Sequence, residues 1–142
     1  MKKLFILLLT LILCFSMVAC GNSKQLSNTD PTKPLDLTGT WKQVNSNSDD
    51  AWQEAVIEDG TITINWITDN GDTKSLYWVG SYDAPTEATE EYKWTSENDH
   101  DQTDSALLAS SDDTKEFTYT DGQLTYEASA MGSTMTMRLE KK

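Results

Sequence analysis

After residue 20 the chain has no cysteine. That removes disulfides, thiolate metal centres and a cysteine nucleophile from the body of the protein. Histidine is almost missing too. His100 is the single one, so no site that needs two imidazoles from this chain can form. Positive charge is scarce, with 11 Lys and Arg against 23 Asp and Glu. A surface of that sign repels phosphate backbones, which excludes nucleic acid as a partner, and it disfavours flat adhesion to anionic lipid. Glycine is sparse and no glycine-rich phosphate loop occurs. No catalytic residue, cofactor or metal is assigned on this basis, and the chain reads as a non-enzyme.

Long hydrophobic runs are missing as well, with one exception. Lys2 and Lys3 precede an uncharged apolar run over Leu4–Val18. A spanning helix needs about 20 such residues, so this shorter run reads as an export signal. It ends in Met17-Val18-Ala19-Cys20. That tetrad resembles the lipobox of bacterial lipoproteins, with Met17 where leucine is commoner. The resemblance implies cleavage between Ala19 and Cys20 and a diacylglyceryl group on the Cys20 thiol. Two acyl chains are what stable anchoring takes. The expected address is the extracytoplasmic face of the cell membrane. Loss of Lys2 and Lys3 with the signal leaves 9 basic residues against 23 acidic ones, a formal charge of −14.

What remains divides in two. Residues 20–36 carry the lipidated cysteine and a polar, proline-containing stretch, GNSKQLSNTDPTKPLD, that reads as a flexible tether. Residues 37–142 read as one all-β domain. Short alternating runs predict strands near 39–45, 51–58, 61–68, 73–82, 91–95, 105–110, 114–120, 123–130 and 133–140. In the run 105–109, SALLA, a helical turn competes. Asp59-Gly60 and Asp121-Gly122 are two-residue hairpin signals, and Asp69-Asn70-Gly71-Asp72 is a longer one. Ile62, Ile64 and Trp66 share a face, as do Phe117 and Tyr119, and Met135, Met137 and Leu139. Eight or nine strands with short connections predict an antiparallel meander closing into a small barrel, with a two-sheet sandwich as the competitor.

Leu37-Thr38-Gly39-Thr40-Trp41 is similar to the Gly-x-Trp start of lipocalin-like barrels. The resemblance implies that Trp41 closes one barrel end beneath a basic residue of the last strand. Arg138 is the candidate, making Trp41 and Arg138 a structural closure pair. The five tryptophans fall about one per predicted strand and read mainly as core. Tyr77 and Trp78 are strand neighbours, so one should face outward. They are the candidate ligand-contacting aromatics. Glu97, Asp99, Asp101 and Asp104 offer oxygen ligands, but without the glycine of a calcium loop they read as a solvated acidic loop.

The whole resembles small lipoproteins of Gram-positive bacteria and their prophages. The leading expectation is a non-enzymatic surface module that binds a protein or small ligand. A prophage-encoded superinfection-exclusion lipoprotein, a lipocalin-like carrier of an apolar ligand and a carbohydrate binder are the alternatives.

Overall fold

The computed structural model describes residues 32–130 and 132–142. The export signal, Cys20 and most of the expected tether lie outside them. Eight strands form a single antiparallel sheet: β1 (Gly39–Gln43), β2 (Trp52–Glu58), β3 (Thr61–Thr68), β4 (Thr73–Ser81), β5 (Glu91–Glu97), β6 (Thr114–Thr120), β7 (Gln123–Ala130) and β8 (Ser133–Lys141). Their order across the sheet is β4-β3-β2-β1-β8-β7-β6-β5. Two meanders of four strands are thus joined side by side through β1 and β8, and the sheet curls into a half-barrel. Among the described residues no second sheet packs against it, so the sandwich is set aside.

The tight turns follow from residue type. Asp59 and Gly60, and Asp121 and Gly122, all have positive φ. This is the backbone that a two-residue hairpin requires and that Asp-Gly tolerates. Asp69, Asn70 and Gly71 make the same excursion over three residues. Gly39 is a different case. Its φ is +120°, and a Cβ there would lie 3.1 Å from the Lys141 side chain. The Gly-Thr-Trp start therefore fits because no other residue adopts that backbone so cheaply.

Alternation places the core on the concave face. Ala55, Ile57, Ile62, Ile64, Phe117, Leu124 and Leu139 are fully enclosed there. Aromatic rings run through it. Trp94 stacks on Phe117 at 5.0 Å, Phe117 leans on Tyr126 at 5.1 Å, and Tyr82 meets Trp94 edge-on at 5.1 Å. Each such side chain, once buried, contributes roughly 1.5–3 kcal/mol. Leu35, inside the stretch read as tether, is also buried in this core, and its N–H donates to the Glu87 carbonyl.

Two predicted details are corrected. No strand forms at 105–110. Turns run there instead, following a one-turn helix, α1 (His100–Thr103). Local bonds decide it, since Ala106 N–H donates to Thr103 and Ala109 N–H to Ala106. This segment lies along the open edge of β4: Ser110 N–H donates to the Tyr77 carbonyl and Asp99 N–H to that of Val79. With the Gly80–Asn98 bridge these bonds form the seam where β4 and β5 approach. Second, Tyr77 and Trp78 do not face opposite ways. Ile64 pairs with Trp78 and Asn65 with Leu76, so Tyr77 is an extra residue in β4. The bulge turns both rings inward.

Candidate binding end

The half-barrel has two unlike ends. Leu35, Leu37, the 59–60 and 121–122 turns, the 82–90 loop and the C-terminus meet at one, here termed the tether end. Trp41 sits there, 2% exposed, its indole N–H donating to the Leu37 carbonyl at 2.9 Å. The cation near its ring is Lys141, with Nζ 5.9 Å from the ring centroid. Arg138 is not that partner. Trp41 lies opposite Lys141 in the β1–β8 ladder, and Arg138, an odd number of residues away, projects from the convex face and is exposed. The cation over Trp41 is thus Lys141 rather than Arg138.

The opposite end is formed by the 44–51, 69–72 and 98–113 connections and by Gly132 between β7 and β8. An open cavity of about 310 Å³ lies there. Gln43, Trp66, Ala128, Met135 and Met137 supply its strand-borne wall, and residues of the 45–51 loop its rim. The rim is tied down. Asn45 donates to the Thr136 carbonyl at 2.8 Å and accepts from the Arg138 backbone N–H at 3.0 Å. Ser46 Oγ donates to the Ala51 carbonyl at 2.6 Å. Beneath the mouth the interior is polar. Gln43 Oε1 accepts from the Gln53 backbone N–H at 2.8 Å, and the Tyr126 hydroxyl donates to the Gln53 side chain. Burial pushes the Tyr126 phenol well above its ordinary range, so it stays a donor.

Neither Tyr77 nor Trp78 reaches the surface. They are 2% and 0% exposed. Tyr77 packs between Trp66, at 5.5 Å, and Tyr126, at 6.4 Å. Trp78 donates to Ser96 Oγ across the seam at 3.0 Å. Two half-buried aromatics line the mouth, Trp52 and Trp66, and alternation places Trp66 on the concave face.

A second cavity, about 440 Å³ and mostly polar, opens where β6 and β7 part. Lys115 lies at its base, a residue that sequence reasoning passed over. Its ammonium donates to Asp112 at 3.0 Å and to the Glu127 carbonyl at 3.2 Å. It also lies 5.5 Å from the Tyr77 ring and 5.1 Å from that of Trp78. Its inward direction was readable from its parity with Phe117 and Tyr119. Bonds from Ser110 and Lys115 hold the Asp112 carboxyl below its usual range.

The acidic 97–104 loop uses Asp99 and Asp104 locally. Asp99 accepts from Gln102 at 2.6 Å. His100 is held between Asp104, at 2.8 Å, and Asp113, at 3.1 Å. The Asp104 hydrogen bond, helped by Asp113, raises the imidazole pKa above its ordinary value. Among the described residues no three or more Asp, Glu, His or Cys side chains are grouped as a metal site. No helix among them is long and apolar enough to cross a membrane.

No family model, no curated protein and no solved structure matches this chain.

Proposed function

We propose that the chain is a lipid-anchored, non-enzymatic binding module of the extracytoplasmic membrane face, with its recognition surface at the end away from the tether. One observation carries the second half of this reading. Among the described residues the large hydrophobic side chains left exposed are Val44, Leu107, Leu108 and Met135. Met135 lines the mouth and Val44 adjoins its rim, while Leu107 and Leu108 lie on the 98–113 segment that follows β5 at the same end of its meander. Leu107 is 97% exposed. Exposed apolar groups gathered at one place mark interaction surfaces more often than scattered ones do. The first half rests on the lipobox resemblance of Met17-Val18-Ala19-Cys20. A lipid on Cys20 and a chain that enters the body at Leu35 would point the mouth away from the membrane.

Labelling of intact bacterial cells tests both halves. The Leu107→Cys variant is expressed with Cys20 intact and treated with a membrane-impermeant maleimide. The expected result is labelling of the introduced thiol on whole cells, together with a lipid adduct on Cys20 by intact mass. Labelling only after lysis, or an unmodified Cys20, would overturn the reading.

A further inference from the structure

The mouth has a companion feature that defines its occupant. The far-end connections 44–51, 69–72 and 97–113 contain ten Asp and Glu and no Lys or Arg. Six of the ten are occupied locally. Asp50, Asp69, Asp99, Asp104, Asp112 and Asp113 accept hydrogen bonds from Ser48, Thr73, Gln102, His100, Lys115 and again His100. Asp49, Asp72, Glu97 and Asp101 form no ion pair among the described residues and are exposed, Asp49 within the 45–51 rim of the mouth and the others on the neighbouring connections. The tether end differs in degree: its 59–60, 82–90 and 121–122 connections carry five Asp and Glu, and Lys141 and Lys142 lie beside them. The far end thus combines an apolar cavity, protruding leucines and an excess of negative charge over the two cations beside it, Lys42 above the ring of the cavity-lining Trp52 at 3.9 Å and Lys74 next to the 69–72 turn.

We infer that the far end docks a basic amphipathic polypeptide segment of another protein. The inference rests on the proposal that this end is the recognition surface. An apolar side chain of such a segment fits the mouth between Trp66, Met135 and Met137. Leu107 and Leu108 extend the apolar contact, and flanking Lys or Arg side chains meet the free carboxylates. Neither feature alone would select this partner. A purely apolar ligand would leave the carboxylates facing desolvated surface, and a purely polar cation would leave the mouth and leucines uncovered. Charge of this kind speeds encounter and sets partner choice, while apolar contact at the centre supplies most of the affinity.

The chain from residue 20 onward with Cys20→Ser, which lacks both the apolar run and the lipid, is titrated with three model peptides while tryptophan emission, to which Trp66 at the mouth contributes, is followed. One is an amphipathic helix of Leu and Lys, one its Leu and Glu counterpart, and one a Ser and Lys peptide of equal charge. The Leu/Lys peptide is expected to bind, to shift the emission and to weaken as salt rises. The other two are expected to bind at least about tenfold more weakly, the scale of a lost interface anchor. The Leu107→Ser/Leu108→Ser/Met135→Ser variant should lose about tenfold for the Leu/Lys peptide. Neutralising Asp49, Asp72 and Asp101 to Asn should weaken binding more than neutralising Glu58, Asp83 and Glu90 at the tether end. Equal binding of the Ser/Lys peptide, or equal effects of the two neutralised sets, would reduce the interaction to bulk charge and overturn the inference. So would unchanged binding by the triple serine variant, or no binding at all. Any of these outcomes, with the Leu107→Cys variant labelled on whole cells, would leave the surface module standing without this partner.

Discussion

The two ends of the half-barrel are built from the same strands and solve different problems. At the tether end each chain passage is covered: Leu35 and Leu37 are buried, Trp41 bonds to Leu37, and Lys141 lies over its ring. At the far end the connecting segments are held in place by polar bonds through Asn45, Ser46, Asn98 and His100, while apolar side chains face outward. One end is stabilised by burial. The other keeps a defined shape without using its apolar surface for stability, and that combination leaves the surface available to a partner.

Substitution of one concave-face tryptophan at each end should expose this contrast most strongly. Trp41→Ala removes a fully enclosed ring and its hydrogen bond, and is expected to cost about 3–5 kcal/mol in denaturant unfolding. Trp66→Ala at the mouth should cost roughly half as much, because its ring is already partly wet. Equal losses would mean that the far end is core and that the contrast is false.

A smaller effect belongs to the seam that runs between the ends. A Cβ on Gly80 would lie 2.3 Å from Ser96 Oγ and 2.5 Å from the Glu97 carbonyl oxygen. Gly80→Ala is therefore expected to cost about 1–3 kcal/mol and to loosen the β4–β5 approach. Hydrogen exchange at the Asp99 amide, which bonds to Val79 across the seam, would report it. Unchanged exchange and stability would show that the two edges slide freely.

The smallest effect is a matter of pH at the far end. The imidazole of His100 is raised in the folded chain. Its contribution is present below the ordinary histidine value near 6.5 and disappears as pH rises through the folded value. The 98–113 segment should be held most firmly in mild acid. An NMR titration of the ring is expected to give a midpoint above 6.5, and Asp104→Asn should lower it. A midpoint at or below 6.5 would remove the clasp from the description of this end.

The sheet is largely legible in the sequence because alternation is a local signal. Ile62, Ile64 and Trp66, then Phe117 and Tyr119, then Met137 and Leu139, occupy the concave face as their spacing requires. Parity also favours Lys141 over Arg138 as the companion of Trp41, once the β1–β8 register is known. That register joins the first strand to the last, and no local signal announces it. The bulge at Tyr77 is hidden for a related reason. One inserted residue leaves each neighbouring run alternating normally and changes only the phase between them. At 105–110 the apolar letters of SALLA suggest burial, whereas turn bonds place Leu107 in solvent. The mouth is not legible at all, because it brings the 45–51 loop against Trp66 of β3, Ala128 of β7 and Met135 and Met137 of β8, which are distant in sequence.

The β1–β8 ladder has a consequence for the integrity of the chain after damage. The loop over residues 83–90 joins the two four-stranded meanders, and it is mostly exposed. Every ladder within the sheet lies within one meander or along β1 and β8. A protease that cuts this loop severs the covalent link without severing any ladder. The two fragments would still share Trp41, Lys42 and Gln43 paired with Lys141, Glu140 and Leu139, so a nicked molecule keeps its sheet and its mouth.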